Sequence, residues 1–317
     1  MACLCVSACG PGSGFRALEE ASEGLLETPG GSWPDLCSPL DFSTIQWPAT
    51  MSVNERQAMK LGLSISGSFE GVAGWRNLTG NFDDMGVSLG LLQQNLGMGS
   101  LQPLLLKMRD QNMEALRRIF SAAHLQSLLG MLERWQTAGL SAIPLGQGIS
   151  PFDEDLVSLG KAEDESVRWA VDNLYVSGGA FDPLWKTELM NLAGSPEYVQ
   201  LQVEAALALH RSAMSLHRFV GVPQLRTYLL MFDIMVQNGG LKAVDRSDYT
   251  SYVQAHPQAP ARDRLIYLLN LRLRHVLPQW KEDVRLRKTA IIDGRGRVHG
   301  DDREFEREYC FERLRDF

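Results

Sequence analysis

From Met51 onward the chain alternates between stretches whose apolar residues recur three or four positions apart and short breaks rich in Gly or Pro. A recurrence at i, i+3, i+4 marks a helix with one buried face. It runs through LQPLLLKMRDQNMEALRRIFSA, HLQSLLGMLERWQTA, DESVRWAVDNLYV, PEYVQLQVEAALALHRSAMSLHRFVG, PQLRTYLLMFDIMVQNGG and ARDRLIYLLNLRLRHVLPQW, each of which predicts an amphipathic helix. The intervening SAIPLGQGISP, VSGGAFDP, AGSP, GVP and AHPQAP stop helices through their Gly and Pro residues. Asp153, Glu154 and Asp155 read as the acidic start of a helix.

A first helix is predicted in SVNERQAMKLGLSISGSFE, where Val53, Ala58, Met59, Leu63 and Ile65 share a face and Ser52 or Asn54 supplies a cap. Gly67 and Gly71 are expected to break it, leaving Glu70 at or just beyond its end. NLTGNFDD followed by MGVSLGLLQ predicts a turn and a short β-prone run, because Gly80-Asn81 and the Asp pair favour reversal. Near the other end, KTAIIDGRGRVHGDDREFEREY predicts a Gly-turned hairpin and a polar tail. The expected fold class is α+β, predominantly α: a helical lobe with a small β-hairpin that forms a cleft. Residues 51–317 make up this domain, and residues 1–50, rich in Gly, Ser, Pro and Cys, read as a flexible extension or linker. No repeat of solenoid period is present.

Composition narrows the function classes. A chain of 317 residues, 44% hydrophobic and 22% charged, is ordinary for a globular protein. The net charge of −7 disfavours nucleic acid or an anionic membrane as the main partner. No apolar stretch reaches the length of a membrane span. The five cysteines lie at 3, 5, 9, 37 and 310; an odd count with none between 38 and 309 argues against a disulfide-built core, and the thiols are expected unpaired. Cys3-x-Cys5-x3-Cys9 is not zinc spacing, the six histidines show no ligand motif, and no metal or cofactor is expected. Gly294-Arg295-Gly296-Arg297 lacks the Lys-Ser/Thr of a phosphate loop.

Candidate chemistry gathers in residues 67–95, GSFEGVAGWRNLTGNFDDMGVSLGLLQQN. Cleaving a glycosidic bond takes one carboxyl to protonate the leaving oxygen and a second carboxylate to activate water or stabilise the sugar cation. Glu70, beside Phe69 and after an apolar helix, suits the acid if burial keeps its proton in place. Asp83, in the turn, suits the base, and Ser88 on the following strand is placed to hold the attacking water. Asp84, Gln93, Asn95 and Trp75 are candidate substrate contacts, the last by stacking on a sugar face or, equally, by covering the hairpin. A helix cap followed by an ordinary turn would use the same residues.

The order of these pieces resembles the lysozyme-like superfamily, especially bacterial chitosanases and goose-type lysozymes with their lytic transglycosylase relatives. Ser68-Phe69-Glu70-Gly71, Asn81-Phe82-Asp83-Asp84 and Gly86-Val87-Ser88-Leu89-Gly90-Leu91-Leu92-Gln93 carry the resemblance. Alignment on the chitosanase glycines places the catalytic aspartate on Asp83 and the water-orienting hydroxyl on Ser88; the goose-type pattern falls on Asp84. Leu230-Met231-Phe232-Asp233, ending in Val236-Gln237-Asn238-Gly239-Gly240, is similar to the late core helix of that fold. Asp233 on so apolar a helix needs a cationic partner, with Arg226, Arg274 and Arg287 as candidates.

The resemblance implies a muramidase-like glycoside hydrolase cleaving β-1,4 bonds of peptidoglycan glycan strands, with a chitosanase and a catalytically silent wall-binding module as alternatives. It implies action at the bacterial cell wall or periplasm. With no recognisable signal peptide, the expected route is a specialised secretion system or a phage or effector protein, with an immunity protein or a larger delivery protein as partner.

Overall fold

The computed structural model describes residues 36–140 and 165–317. The expected helix start at 153–155, the break at 141–151 and Cys3, Cys5 and Cys9 lie outside the described residues.

Helix α1 (Val53–Glu70) begins at Ser52, whose hydroxyl accepts from the Glu55 amide while the Glu55 carboxylate accepts from the Ser52 amide. This reciprocal box satisfies two otherwise orphaned donors. Gly67 does not break the helix. It lies within it because a Cβ there would sit 2.3 Å from a Leu91 methyl, so the glycine lets α1 close onto the strand region. Gly71 ends the helix at φ 148°, where a Cβ would meet the Asn77 side-chain oxygen at 2.7 Å. That oxygen accepts from the Ala73 amide at 2.9 Å, which fixes the chain just beyond Glu70.

Strands β1 (Leu78–Thr79), β2 (Ser88–Leu89) and β3 (Gln94–Asn95) form an antiparallel sheet in sequence order. Their register aligns Leu78, Leu89 and Gln94 on one face and Thr79, Ser88 and Asn95 on the other. Leu89 is fully buried in a cluster that also takes α2 (Gln102–Gln111), α3 (Met113–Ile119), α4 (Ala122–Thr137), α5 (Glu165–Leu174) and α6 (Pro183–Ala193). Residues 101–122, read as one helix, divide at Asn112. The Pro-containing breaks serve as helix starts: Asp182 caps α6 ahead of Pro183, and Ser195 caps α7 (Pro196–Val220) ahead of Pro196.

The other half of the domain surrounds α8 (Leu225–Asn238), in which every residue but Val236 is buried. It packs against α1, α7 and α11 (Lys281–Asp293), with α9 (Ala243–Ala255) and α10 (Ala261–Leu273) outside. The predicted C-terminal hairpin is β4 (Arg295–Val298) with β5 (Asp301–Glu304), followed by the short α12 (Phe305–Glu308). Beyond it, the Arg313 and Arg315 carbonyls accept from the Arg226 and Leu225 amides and so satisfy the start of α8.

Two expectations are corrected. Residues 36–50, assigned to the extension, lie against the domain: the Ser38 hydroxyl bonds that of Ser64 at 2.7 Å, and Phe42 packs on Trp47 and Trp75. Cys37 and Cys310 form a disulfide across 273 residues, joining that segment to the C-terminal tail. Partners so far apart give no local spacing signal.

Candidate active site

Glu70 closes α1 with its side chain 22% exposed, and Arg287 of α11 donates from Nη1 to Glu70 Oε1 at 2.6 Å. The same guanidinium grips Asp233 of α8 through Nε at 3.0 Å and Nη2 at 2.6 Å. Lys288 Nζ donates to Asp233 Oδ2 at 2.9 Å and to Gln237 Oε1. Asp233, Arg287 and Lys288 are almost wholly withdrawn from water. Burial alone would raise the Asp233 pKa, but Arg287 and Lys288 outweigh it and hold the carboxyl well below its usual range. Burial also lowers Lys288, helped by Arg287 and opposed by Asp233, to about 8. Burial opposes the Arg287 charge too, yet Asp233 and Glu70 together raise its pKa.

Of the three arginines proposed for Asp233, the structure selects Arg287. Arg226 instead donates to the Ile292 carbonyl, and Arg274 to Asp245 and Asp248. The expected apolar niche around Glu70 is corrected: its partner is a guanidinium anchored in the core. Phe69 lends its ring to the Arg287 guanidinium, 4.4 Å from the centroid. Among the described residues, Glu70 Oε2 accepts no hydrogen bond, so one oxygen is held and the other is open.

Asp83 and Asp84 lie in the β1–β2 connection. Asp83 Oδ1 accepts from the Met85 amide at 3.2 Å, while Asp84 is exposed at φ 60°. The loop is fastened by Gly86, whose amide donates to Asn81 Oδ1 at 2.6 Å and whose carbonyl accepts from the Tyr175 hydroxyl at 2.5 Å. Burial, opposed by a hydrogen bond from the Asn81 backbone and helped slightly by the Asp83 charge, raises the Tyr175 pKa to about 12, so the phenol keeps its proton as a donor. Ser88 stands in the polar row of the sheet between Thr79 and Asn95. Asn95 Oδ1 accepts from the Met98 amide at 2.8 Å, and Gln93, at φ 51°, donates from Nε2 to the Gly90 carbonyl. Trp75 meets Phe42 edge-on at 5.7 Å, and its indole nitrogen is enclosed.

Sequence reasoning missed Arg287 as the partner of Glu70, and it missed Tyr175, Phe82 and Trp280. The exposed ring of Phe82 approaches Trp280 at 6.4 Å, linking the Asp83 loop to the start of α11. The only signal available was an aromatic next to the turn aspartates. Among the described residues, no group of three or more His, Cys, Asp or Glu side chains is arranged to hold a metal ion. No described helix is long and apolar enough to cross a membrane.

No family model and no curated protein matches the chain. Two solved structures are similar to it. A mutant chitosanase from Bacillus subtilis MY002, complexed with 6 GlcN, is 12% identical over 80% of this chain and 97% of its own, with a TM-score of 0.48. The GH46 chitosanase of Gynuella sunshinyii with chitotetraose is 17% identical over 81% of this chain and 98% of its own, with a TM-score of 0.47. Both likenesses are of fold.

Proposed function

We propose that the protein is a glycoside hydrolase acting on a β-1,4-linked amino-sugar polymer, with peptidoglycan glycan strands as its substrate. Support comes chiefly from the divided carboxylate of Glu70, whose Oε1 is held by a core-anchored arginine while Oε2 is left open. In the proposed reaction Oε2 delivers a proton to the glycosidic oxygen as the bond from the anomeric carbon breaks. Arg287 then stabilises the carboxylate left behind, and because it is bound to Asp233 it stays in place whichever form Glu70 takes. Water adds to the anomeric carbon and gives its proton to Asp83, with the Ser88 hydroxyl orienting it; solvent returns that proton to Glu70. The products are a new reducing end and a free hydroxyl.

The acidic balance of the chain also favours a polycationic glucosamine polymer, which is the second substrate to assay. The Cys37–Cys310 disulfide fits action in an oxidising compartment such as the periplasm, reached by a specialised export route. The test is digestion of purified sacculi and of soluble chitosan, followed by mass spectrometry of the product ends. Reducing ends from sacculi are the expected result; release from chitosan alone moves the substrate to the second polymer. Binding to sacculi without turnover contradicts the enzyme and leaves a wall-binding module.

A further inference from the structure

A groove of about 650 Å3 runs between residues 80–82 and the 175–179 turn, with Val171 of α5 on its wall. Three of the large apolar side chains that stay exposed, Phe82 at 65% and Val171 and Val176 at 45% each, line it together. Isolated exposed apolar residues are normal, but a cluster on a concave surface marks a binding site. We propose that this groove is a distal saccharide subsite, resting on the glycosidase assignment above, and that Phe82 carries the apolar face of a sugar ring there.

Three observations select a glycan over a protein. The lining mixes apolar surface with short polar groups: Ser177 is exposed, and Asn81 is half-buried with its Oδ1 taking the Gly86 amide. A pyranose, with an apolar C–H face and a hydroxyl rim, matches that alternation. Next, the groove adjoins the loop that carries Asp83. Phe82 precedes Asp83, and its ring reaches Trp280, the residue that precedes α11 and lies seven positions before Arg287. Seven residues advance a helix by about 10 Å, two turns on one face and roughly a disaccharide's length.

The third observation is that the walls are already set. Tyr175 holds the Gly86 carbonyl, packs on Phe181 at 4.8 Å and bridges to it through the backbone, so binding needs little ordering. Gly178 and Gly179 have open space where a Cβ would stand, which leaves the rim of the turn low.

The test is calorimetric binding of β-1,4-linked N-acetylglucosamine and glucosamine hexamers to the full chain carrying Glu70→Gln, with Phe82→Ala or Val176→Asn added. Each added change is expected to weaken hexamer binding about tenfold, and Phe82→Trp to restore it. The melting temperature checks that each variant folds. Hexamer affinity unchanged by both substitutions, or no affinity for either hexamer, overturns the subsite. So does concentration-dependent self-association of the parent that Phe82→Ala abolishes, since the patch is then a protein contact. Failure of the catalytic assignment looks different: Glu70→Gln keeps its turnover while the groove substitutions still weaken binding.

Discussion

Replacing Cys37 by Ser removes the one covalent link between the segment that lies on α1 and the tail that satisfies the start of α8. The bond closes a loop of 273 residues, with Cα atoms 5.3 Å apart. Closing a loop of that length removes about 19 cal/mol/K of chain entropy from the unfolded state, or about 5.6 kcal/mol at 25 °C. In the folded state little else changes: the Cys37 amide still donates to the Tyr309 carbonyl, and Phe317 still packs on Tyr228 and His217. A domain of roughly 280 residues unfolds with about 0.6 kcal/mol/K of entropy, so the loss lowers the melting temperature by about 8 to 10 °C. Calorimetry of the oxidised parent, the reduced parent, Cys37→Ser, Cys310→Ser and the double variant measures this. The four forms lacking the bond should melt together, well below the oxidised parent. Equal melting of all five, or peptide mapping that pairs Cys37 with Cys3, Cys5 or Cys9, refutes the reasoning.

Three further predictions concern the interior. His210 is buried beside the Tyr228 hydroxyl at 2.8 Å, and burial lowers its pKa to about 4. The unfolded chain therefore gains a proton near pH 6.5 that the folded chain refuses, and stability falls by about 3 kcal/mol as pH drops from 6.5 to 4. Chemical denaturation across that range should show the loss, and His210→Gln should flatten it. Asp233→Asn leaves Arg287 and Lys288 without their shared counter-ion and should cost about 3 to 5 kcal/mol in urea unfolding, part of it recovered by adding Lys288→Met. Gly67→Ala forces the buried Leu91 aside and should cost about 1 to 3 kcal/mol. Combined with Leu91→Ala, the two losses should sum to more than the measured double effect.

The amphipathic helices were legible because their buried faces are apolar. The helices the pattern missed show where that logic ends. On α11 the inward residues include Arg287 and Lys288 beside Val284 and Ile291, so charged side chains occupy core positions and hide the period. On α9 only Asp245 and Tyr249 are buried, too few to make a stripe, and α6 buries Glu188 alongside its apolar residues. Glu70 could be placed at a helix end from its flanking glycines, and Asp233 could be given a cationic partner because a charge on so apolar a helix needs one, with Arg287 among three candidates. The ion pair joining Glu70 to Arg287 spans 217 residues, and no local pattern encodes it.

The central claim is that Glu70 supplies the proton for glycosidic cleavage. Its most direct test is the turnover number of Glu70→Gln on the cleaved polymer, with binding of the hexamer measured in parallel. The account predicts a fall of at least a hundredfold in turnover with affinity kept, because the amide preserves the shape and the Arg287 contact but has no acidic proton to give. Turnover within a few-fold of the parent would contradict it.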